Sequence, residues 1–336
     1  MASYIIAEVG VNHNGDLDLA TKLIEKAASA GADAVKFQTF YPSSLVVQNA
    51  AKAEYQIRSD GVGTQQNMLS RLQLSVDDHY TLKKACDFNS IDFLSTPFGL
   101  AELDFLIELD IPAIKIASGD ITFLPLLEEA SRYSSVKNIP LYISTGMSNL
   151  SDISQAFDVL LASGSSKDQI YLLHCVSSYP TLPVDANLRS LLTLSSAFHC
   201  HVGYSDHTLG ISAPIIAVAF GAQVIEKHLT LDCDMLGPDH AASLEPNDFS
   251  MLVDAIRASE AMLGSGIKAL CEAEISTRLS ARRSIRARHF IPKGKVLSSE
   301  DFVCMRPADG LTPMLLNELI GTKSSQDYQQ HQLFSL

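Results

Sequence analysis

Tyr4-Ile5-Ile6-Ala7-Glu8-Val9-Gly10 is an apolar run broken only by a carboxylate before its closing glycine. A short run of this kind, bounded by turn residues, reads as a strand buried on both faces, as in a parallel sheet. The same pattern recurs at 33–38, 92–96, 113–118, 141–145, 170–175, 201–205 and 223–228. Amphipathic stretches at 17–30, 76–88, 124–133, 153–162, 187–195 and 213–220 lie between these runs. Strand and helix alternating through eight short buried strands predict an α/β fold, a (β/α)8 TIM barrel. A doubly wound open sheet is the alternative; the regularity of the units favours closure.

A helix over 246–263 ends the barrel pattern, and Gly264-Ser265-Gly266 breaks it. The barrel is therefore expected over 1–264 and a polar linker over 265–283. From 284 the chain turns to short β-like pieces with turn signals, such as Ile291-Pro292-Lys293-Gly294. The expectation for 284–336 is a second, small β-rich domain.

The 336 residues suit a barrel with an appendage, and 46% hydrophobic residues suffice for a large core. A net charge of −13 without a basic run argues against nucleic acid as a partner. No apolar run reaches the length of a membrane span. Six cysteines without a C-x-x-C pair, and a start that runs directly into a strand, suggest free thiols in a cytoplasmic protein.

Barrel active sites lie at the C-terminal strand ends. Here nearly every such end carries polar or ionisable residues: Glu8, then Lys36 and Gln38, Ser95-Thr96, Lys115 with Ser118-Gly119-Asp120, Ser144-Thr145, His174 to Tyr179, Ser205-Asp206-His207 and Glu226-Lys227-His228. Lys36 and Gln38 share one strand face by alternation. An inward lysine needs an anion. Two lysines beside hydroxyls could hold the phosphate and carboxylate of phosphoenolpyruvate; a Lys–Glu pair inside the barrel is the plain alternative. His207 and His228 end adjacent strands and could share a divalent metal. Two protein ligands with open positions suit Mn²⁺ better than zinc; core histidines bonded to neighbours are the other reading. His199 and His201 form a rival pair at the wrong end of their strand, and His174 is a weaker ligand candidate. Asp239 follows Gly237-Pro238, as a ligand-facing acid or as a turn former.

These stretches resemble the sialic acid synthase family. Its motifs are matched in order by Ala7-Glu8-Val9-Gly10-Val11-Asn12-His13-Asn14-Gly15, Val35-Lys36-Phe37-Gln38-Thr39, Ser95-Thr96-Pro97-Phe98 and Lys115-Ile116-Ala117-Ser118-Gly119-Asp120. Ser144-Thr145-Gly146-Met147, Tyr204-Ser205-Asp206-His207-Thr208, Glu226-Lys227-His228 and Gly237-Pro238-Asp239-His240 continue it, and 284–336 with Arg306-Pro307 resembles the family's antifreeze-like (SAF) domain. The resemblance implies metal ligation by His207 and His228, Mn²⁺ first with Mg²⁺ or Co²⁺ as alternatives. It implies that Lys36, Lys115, Ser118, Ser144 and Ser205 hold phosphoenolpyruvate. It places Glu8, Gln38, Asp120, Tyr179, Asp239 and Arg306 around the sugar and the reacting carbon, with Glu8, Lys36, Lys115, Asp120 and Asp239 in the catalytic set. It further implies a domain-swapped homodimer in which Arg306 serves the partner's barrel. Two positions depart from some members, Asp120 standing for Glu and Ser177 for Asn, and both face the ligands. The early first strand leaves little room for a preceding barrel-closing hairpin.

The implied activity joins phosphoenolpyruvate to an N-acetylated amino sugar, N-acetylmannosamine first. A legionaminic or pseudaminic acid synthase using a diacetamido hexose is the nearest alternative. A metal-dependent barrel hydrolase and a non-catalytic carbohydrate-binding protein are the remoter ones.

Overall fold

The computed structural model describes residues 2–334; position 1 of the expected barrel and positions 335 and 336 of the expected second domain lie outside them. The chain forms two compact units, Met1–Gly264 and Ser265–Leu336.

The first unit is built on eight parallel strands: β1 (Tyr4–Gly10), β2 (Ala34–Thr39), β3 (Asp92–Pro97), β4 (Ile114–Ile116), β5 (Leu141–Ser144), β6 (Ile170–Cys175), β7 (His201–Asp206) and β8 (Val224–His228). Their hydrogen-bonded order is β3-β2-β1-β8-β7-β6-β5-β4, and β3 and β4 lie against each other at its ends. This is the expected (β/α)8 barrel. The helices between strands start where the sequence supplies caps. The Asp16 carboxylate accepts from the amides of Asp18 and Leu19, and Ser75 and Asp78 form a reciprocal capping box. The strand expected at 113–118 stops at Ile116, because Ser118–Asp120 turns into a single 3₁₀ turn with the Asp120 amide on the Ala117 carbonyl.

Side chains alternate between the barrel interior and the helix layer. One interior layer is apolar: Ile6, Ala34, Leu94, Ala113, Tyr142, Leu173 and Val224. Gly203 belongs to the same layer, and the space is already taken there. A Cβ on it would meet Leu173 Cδ2 at 2.4 Å and the Val224 carbonyl at 2.7 Å. Two residues further along the same strands the interior turns polar, with Glu8, Lys36, Thr96, Lys115, Ser144, Ser205 and Glu226. The barrel is thus closed below by hydrocarbon and lined above by charge. The outward faces, including Ile5, Ala7, Val35, Phe37, Phe93 and Ile225, pack against the helices in the main core.

Between β2 and β3 the chain forms an excursion of short helices, Pro42–Leu45, Glu54–Asp60 and Gln65–Leu72. Val11, Phe40, Met68 and Leu72 form its own apolar cluster, with Leu45, Leu69 and Phe98 against it. Lys52 bonds to Asp60, and Arg71 reaches both oxygens of the same carboxylate at 2.8 Å.

The second unit holds β9 (Ser284–Ala287) antiparallel to β10 (Phe302–Met305) over a small core of Ile285, Ala287, Ile291, Leu297, Phe302, Leu319, Tyr328 and Phe334. The stretch expected as a linker contains the short helix Ile275–Ala281. Among the described residues no helix is long and apolar enough to cross a membrane.

Candidate active site

The C-terminal strand ends open into a cavity of about 660 Å³ lined by first-unit residues. It brings together Glu8, Lys36, Gln38, Lys115, Ser118, Asp120, Ser144, Ser177, Tyr179, Ser205, His207, His228 and Asp239 from the sequence reading. Arg306 lies in the second unit, exposed just after β10.

The two lysines have different surroundings. Lys36 Nζ sits 2.6 Å from Glu8 Oε2 and 3.6 Å from Glu226 Oε2, and donates to Thr96 Oγ1 at 2.9 Å. The contact with Glu8 is a close, buried ion pair. Lys36 is thus paired with glutamates inside the barrel while it also lines the cavity. Burial opposes the charge on Lys36, but Glu226 and Glu8 together hold its ammonium above the usual lysine range. Lys115 Nζ donates to Ser144 Oγ at 2.7 Å and to its neighbour Ile116's carbonyl at 3.1 Å. No carboxylate of the described residues forms an ion pair with it, and burial holds it below the usual lysine range. It is a buried cation aimed into a cavity, with its charge left for a ligand.

The carboxyls are graded in the same way. Burial would raise Glu226, but Lys115, Lys36 and the Ser205 hydroxyl at 2.8 Å bring it down to about 2. Burial lifts Glu8 to about 7 despite Lys36, with Glu226 adding to the rise. Glu8 therefore changes protonation near neutrality, while Glu226 stays ionised. Gln38 Nε2 donates to the other Glu8 oxygen at 3.3 Å. Burial also pushes Asp120 and Asp239 up to about 6, against Lys115 and His207 respectively. Asp120 Oδ2 is buried without a hydrogen-bond partner.

Asp239 is held by its loop. Asn12 Nδ2 donates to the Leu229 carbonyl at 2.9 Å and to Ser243 Oγ at 2.8 Å, and Ser243 Oγ donates to the Asp239 carbonyl at 2.7 Å. The Asn12-His13-Asn14-Gly15 motif of the first strand end therefore shapes the far side of the mouth.

His207 and His228 end β7 and β8 with ring centroids 5.6 Å apart, and the Tyr179 ring lies 4.1 Å from that of His207. His207 Nδ1 is bonded to the Val176 carbonyl at 2.8 Å, which sets the tautomer and turns Nε2 free of that bond. His228 Nδ1 is buried with no hydrogen-bond partner, and burial with the neighbouring His207 keeps its imidazole neutral. A neutral, buried imidazole with an unsatisfied nitrogen fits a metal ligand. Among the described residues no cluster of three ligating side chains is present, so the pair fits an ion that completes its shell from water or substrate.

His199, the left-handed cap of helix Ser190–Phe198, and His201, stacked on Tyr171, stand at the start of β7, away from this mouth. His174 Nε2 is paired with the Ala186 carbonyl at 2.8 Å and does not line the cavity. Sequence reasoning placed Glu226, Thr96 and Cys175 at the strand ends but gave none of them a role of its own. Glu226 shares a strand face with His228, so alternation alone could have singled it out. The Cys175 sulfur lies 3.8 Å from His207 Nδ1, with no pattern in the sequence to mark it.

The model of the NeuB family matches residues 23–268, well over half of the chain. The chain belongs to the NeuB family. It is 44% identical over 330 residues, 97% of this chain and 92% of the relative, to the N,N'-diacetyllegionaminic acid synthase of Legionella pneumophila. It is 33% identical over 95% of this chain and 88% of the relative to the human N-acetylneuraminate-9-phosphate synthase. Among solved structures, it superposes with a TM-score of 0.73 and 34% identity on the N-acetylneuraminic acid (sialic acid) synthetase of Leptospira borgpetersenii in complex with citrate, covering 82% of this chain and 90% of that one.

Proposed function

We propose that this NeuB family member is a transferase that condenses phosphoenolpyruvate with an N-acetylated amino sugar, giving a nonulosonic acid and phosphate with cleavage of the C–O bond. The observation that carries this reading is Lys115, a buried ammonium without a carboxylate, facing the cavity that also holds His207 and His228.

Lys115 and Lys36, with the hydroxyls of Ser118, Ser144 and Ser205, hold the phosphate and carboxylate of phosphoenolpyruvate. The C3 carbon of that substrate attacks the aldehyde of the open-chain sugar, water adds at C2, and the tetrahedral intermediate loses phosphate. Glu8, which titrates near neutrality, takes the proton of the attacking water. The lysines stay charged beside the developing anion. Gln38, Asp120, Ser177, Tyr179 and Asp239 orient the sugar. His207 and His228 would hold a divalent cation, Mn²⁺ first, with Mg²⁺ or Co²⁺ as alternatives; when bound there it polarises the aldehyde oxygen.

A second reading of the sugar rests on the relatives. Identity is higher to the diacetyllegionaminic acid synthase than to the N-acetylneuraminate-9-phosphate synthase, which favours a diacetamido hexose over N-acetylmannosamine. The stretch 284–336 is proposed as an antifreeze-like (SAF) domain that brings Arg306 to the sugar's acylamino group in a domain-swapped homodimer. A cytoplasmic location agrees with six cysteines that are all free. The test offers N-acetylmannosamine, its 6-phosphate and diacetamido hexoses with phosphoenolpyruvate and Mn²⁺, and reads product mass and released phosphate. Phosphate release without sugar would replace this reading with a hydrolase.

A further inference from the structure

Behind the wall that carries the two imidazoles lies a second ionised pair, outside the cavity. Strand alternation turns Ser205, His207, Glu226 and His228 inward, and Asp206 and Lys227 to the opposite face. Lys227 Nζ lies 2.6 Å from Asp206 Oδ2, and both side chains are wholly buried. A buried ion pair contributes little net stability compared with apolar residues of the same volume, so its placement is the informative part.

That placement is specific. Asp206 and Lys227 are register partners on β7 and β8, and each stands immediately before one of the imidazoles. Asp206 Oδ1 accepts from the Thr208 amide at 2.8 Å and from the Tyr204 hydroxyl at 2.9 Å. Lys227 Nζ also donates to the Thr208 carbonyl. The backbone on both sides of His207 is therefore fastened, and the fastening on its far side is anchored to the residue before His228.

We propose that Lys227 and Asp206 are positioning residues that set the spacing of His207 and His228. This rests on the reading that those imidazoles hold a divalent metal. Each strand end is held on its outer side, β8 by the pairing of His228 with Glu8 and β7 by the Thr181 amide on the His207 carbonyl; the ion pair ties the two to each other where their own register pairing ends, at Asp206↔Lys227. Loosening the tie would leave both ligands present but let their separation vary. Groups bonded directly to metal-binding histidines contribute about 10–100-fold in affinity; Asp206 and Lys227 act through the backbone instead, which sets their effect at the lower end of that scale.

The test uses the full-length protein and Mn²⁺ alone, with binding followed by titration calorimetry and folding by thermal unfolding. Lys227→Met strands a buried carboxylate and could fail by unfolding, so Asp206→Asn/Lys227→Met is made beside it. The double variant keeps a side-chain oxygen for Tyr204 and the Thr208 amide and removes the cross-strand tie without leaving a lone charge. It is expected to unfold near the wild-type temperature yet bind Mn²⁺ about 10-fold more weakly. Wild-type Mn²⁺ affinity in a folded double variant would overturn the positioning role alone. Failure of the wild-type protein to bind Mn²⁺, or unchanged binding in His207→Ala, would overturn the metal reading and this inference with it.

Discussion

Nζ of Lys36 lies 2.6 Å from Oε2 of Glu8, whereas Lys115 in the same cavity meets only a hydroxyl and a carbonyl. The two lysines therefore differ in what their removal exposes. Lys36→Met leaves Glu8 and Glu226 buried without their shared cation, a change on the scale of about 3–5 kcal/mol of lost stability, and it should lower the unfolding temperature. Lys115→Met removes a charge that forms no ion pair but helps to keep Glu226 ionised. With Lys36 still beside Glu226, it should lower the unfolding temperature less than Lys36→Met does and reduce kcat/KM for phosphoenolpyruvate by about 10²–10³-fold, the scale for losing one preorganised donor. Steady-state kinetics and thermal melts on both variants check the contrast; unchanged kcat/KM in Lys115→Met would remove it from the site.

His207→Ala and His228→Ala should each abolish metal-dependent turnover and Mn²⁺ binding. His228→Ala deletes the buried nitrogen that has no protein partner, so it should cost little in folding. Full activity of the wild-type protein after exhaustive chelation would sink the metal proposal.

Asp120 is lifted to about 6, by burial first and against the pull of Lys115. Above that value it is a carboxylate that accepts from sugar hydroxyls; below it the carboxyl is protonated and loses acceptor capacity. KM for the sugar should accordingly rise as pH falls through about 6. Asp120→Asn should show a raised KM that varies less over this range, with Asp239, also lifted to about 6, leaving the remaining dependence. A parallel pH profile in wild type and variant would exclude Asp120 from sugar binding.

The architecture was legible because the barrel repeats one simple pattern. Tyr4–Gly10 and Ile170–Cys175 form strands over their whole predicted lengths, since an apolar run between turn residues has no competing helical period. The lysines and histidines were legible as strand-end residues from the strand pattern, and their roles through the resemblance to the family. The excursion over 42–72 was not. Its short helices are held by Met68 and Leu72 against Val11 and Phe40, and by Asp60 between Lys52 and Arg71. Those partners are distant in sequence, so no local periodicity announces them. The ionisation of the carboxyls was equally hidden. Glu8 and Glu226 are the same residue type in similar strands, and only the lysines around each separate a value of about 7 from one of about 2.

In the second unit, Asp301 accepts from Lys295, from His289 at 2.9 Å and from the Ser298 amide at 2.9 Å. Although burial pushes the other way, Lys295, Ser298 and His289 hold the carboxyl at about 2, below its ordinary 3.8. Its contribution to stability is therefore complete above 3.8 and is lost as pH falls from there through about 2. Asp301→Asn should lower stability at neutral pH and flatten the acid side of the curve. Urea midpoints measured at several acid pH values check this; an unaltered acid slope in the variant would place the dependence elsewhere.

The hydrocarbon layer around Gly203 makes the barrel a blind well. Nothing leaves through the floor, so traffic uses one door. A molecule seated on the lysines, one pleat below Gln38 and the imidazoles, lies beneath whatever occupies the mouth. Deep and shallow ligands cannot trade places without the upper one departing. Under the proposed function, the filled floor would impose a sequence on events above it: an anion on the lysines would have to arrive before the sugar, and the product would have to clear the entrance before another anion descended.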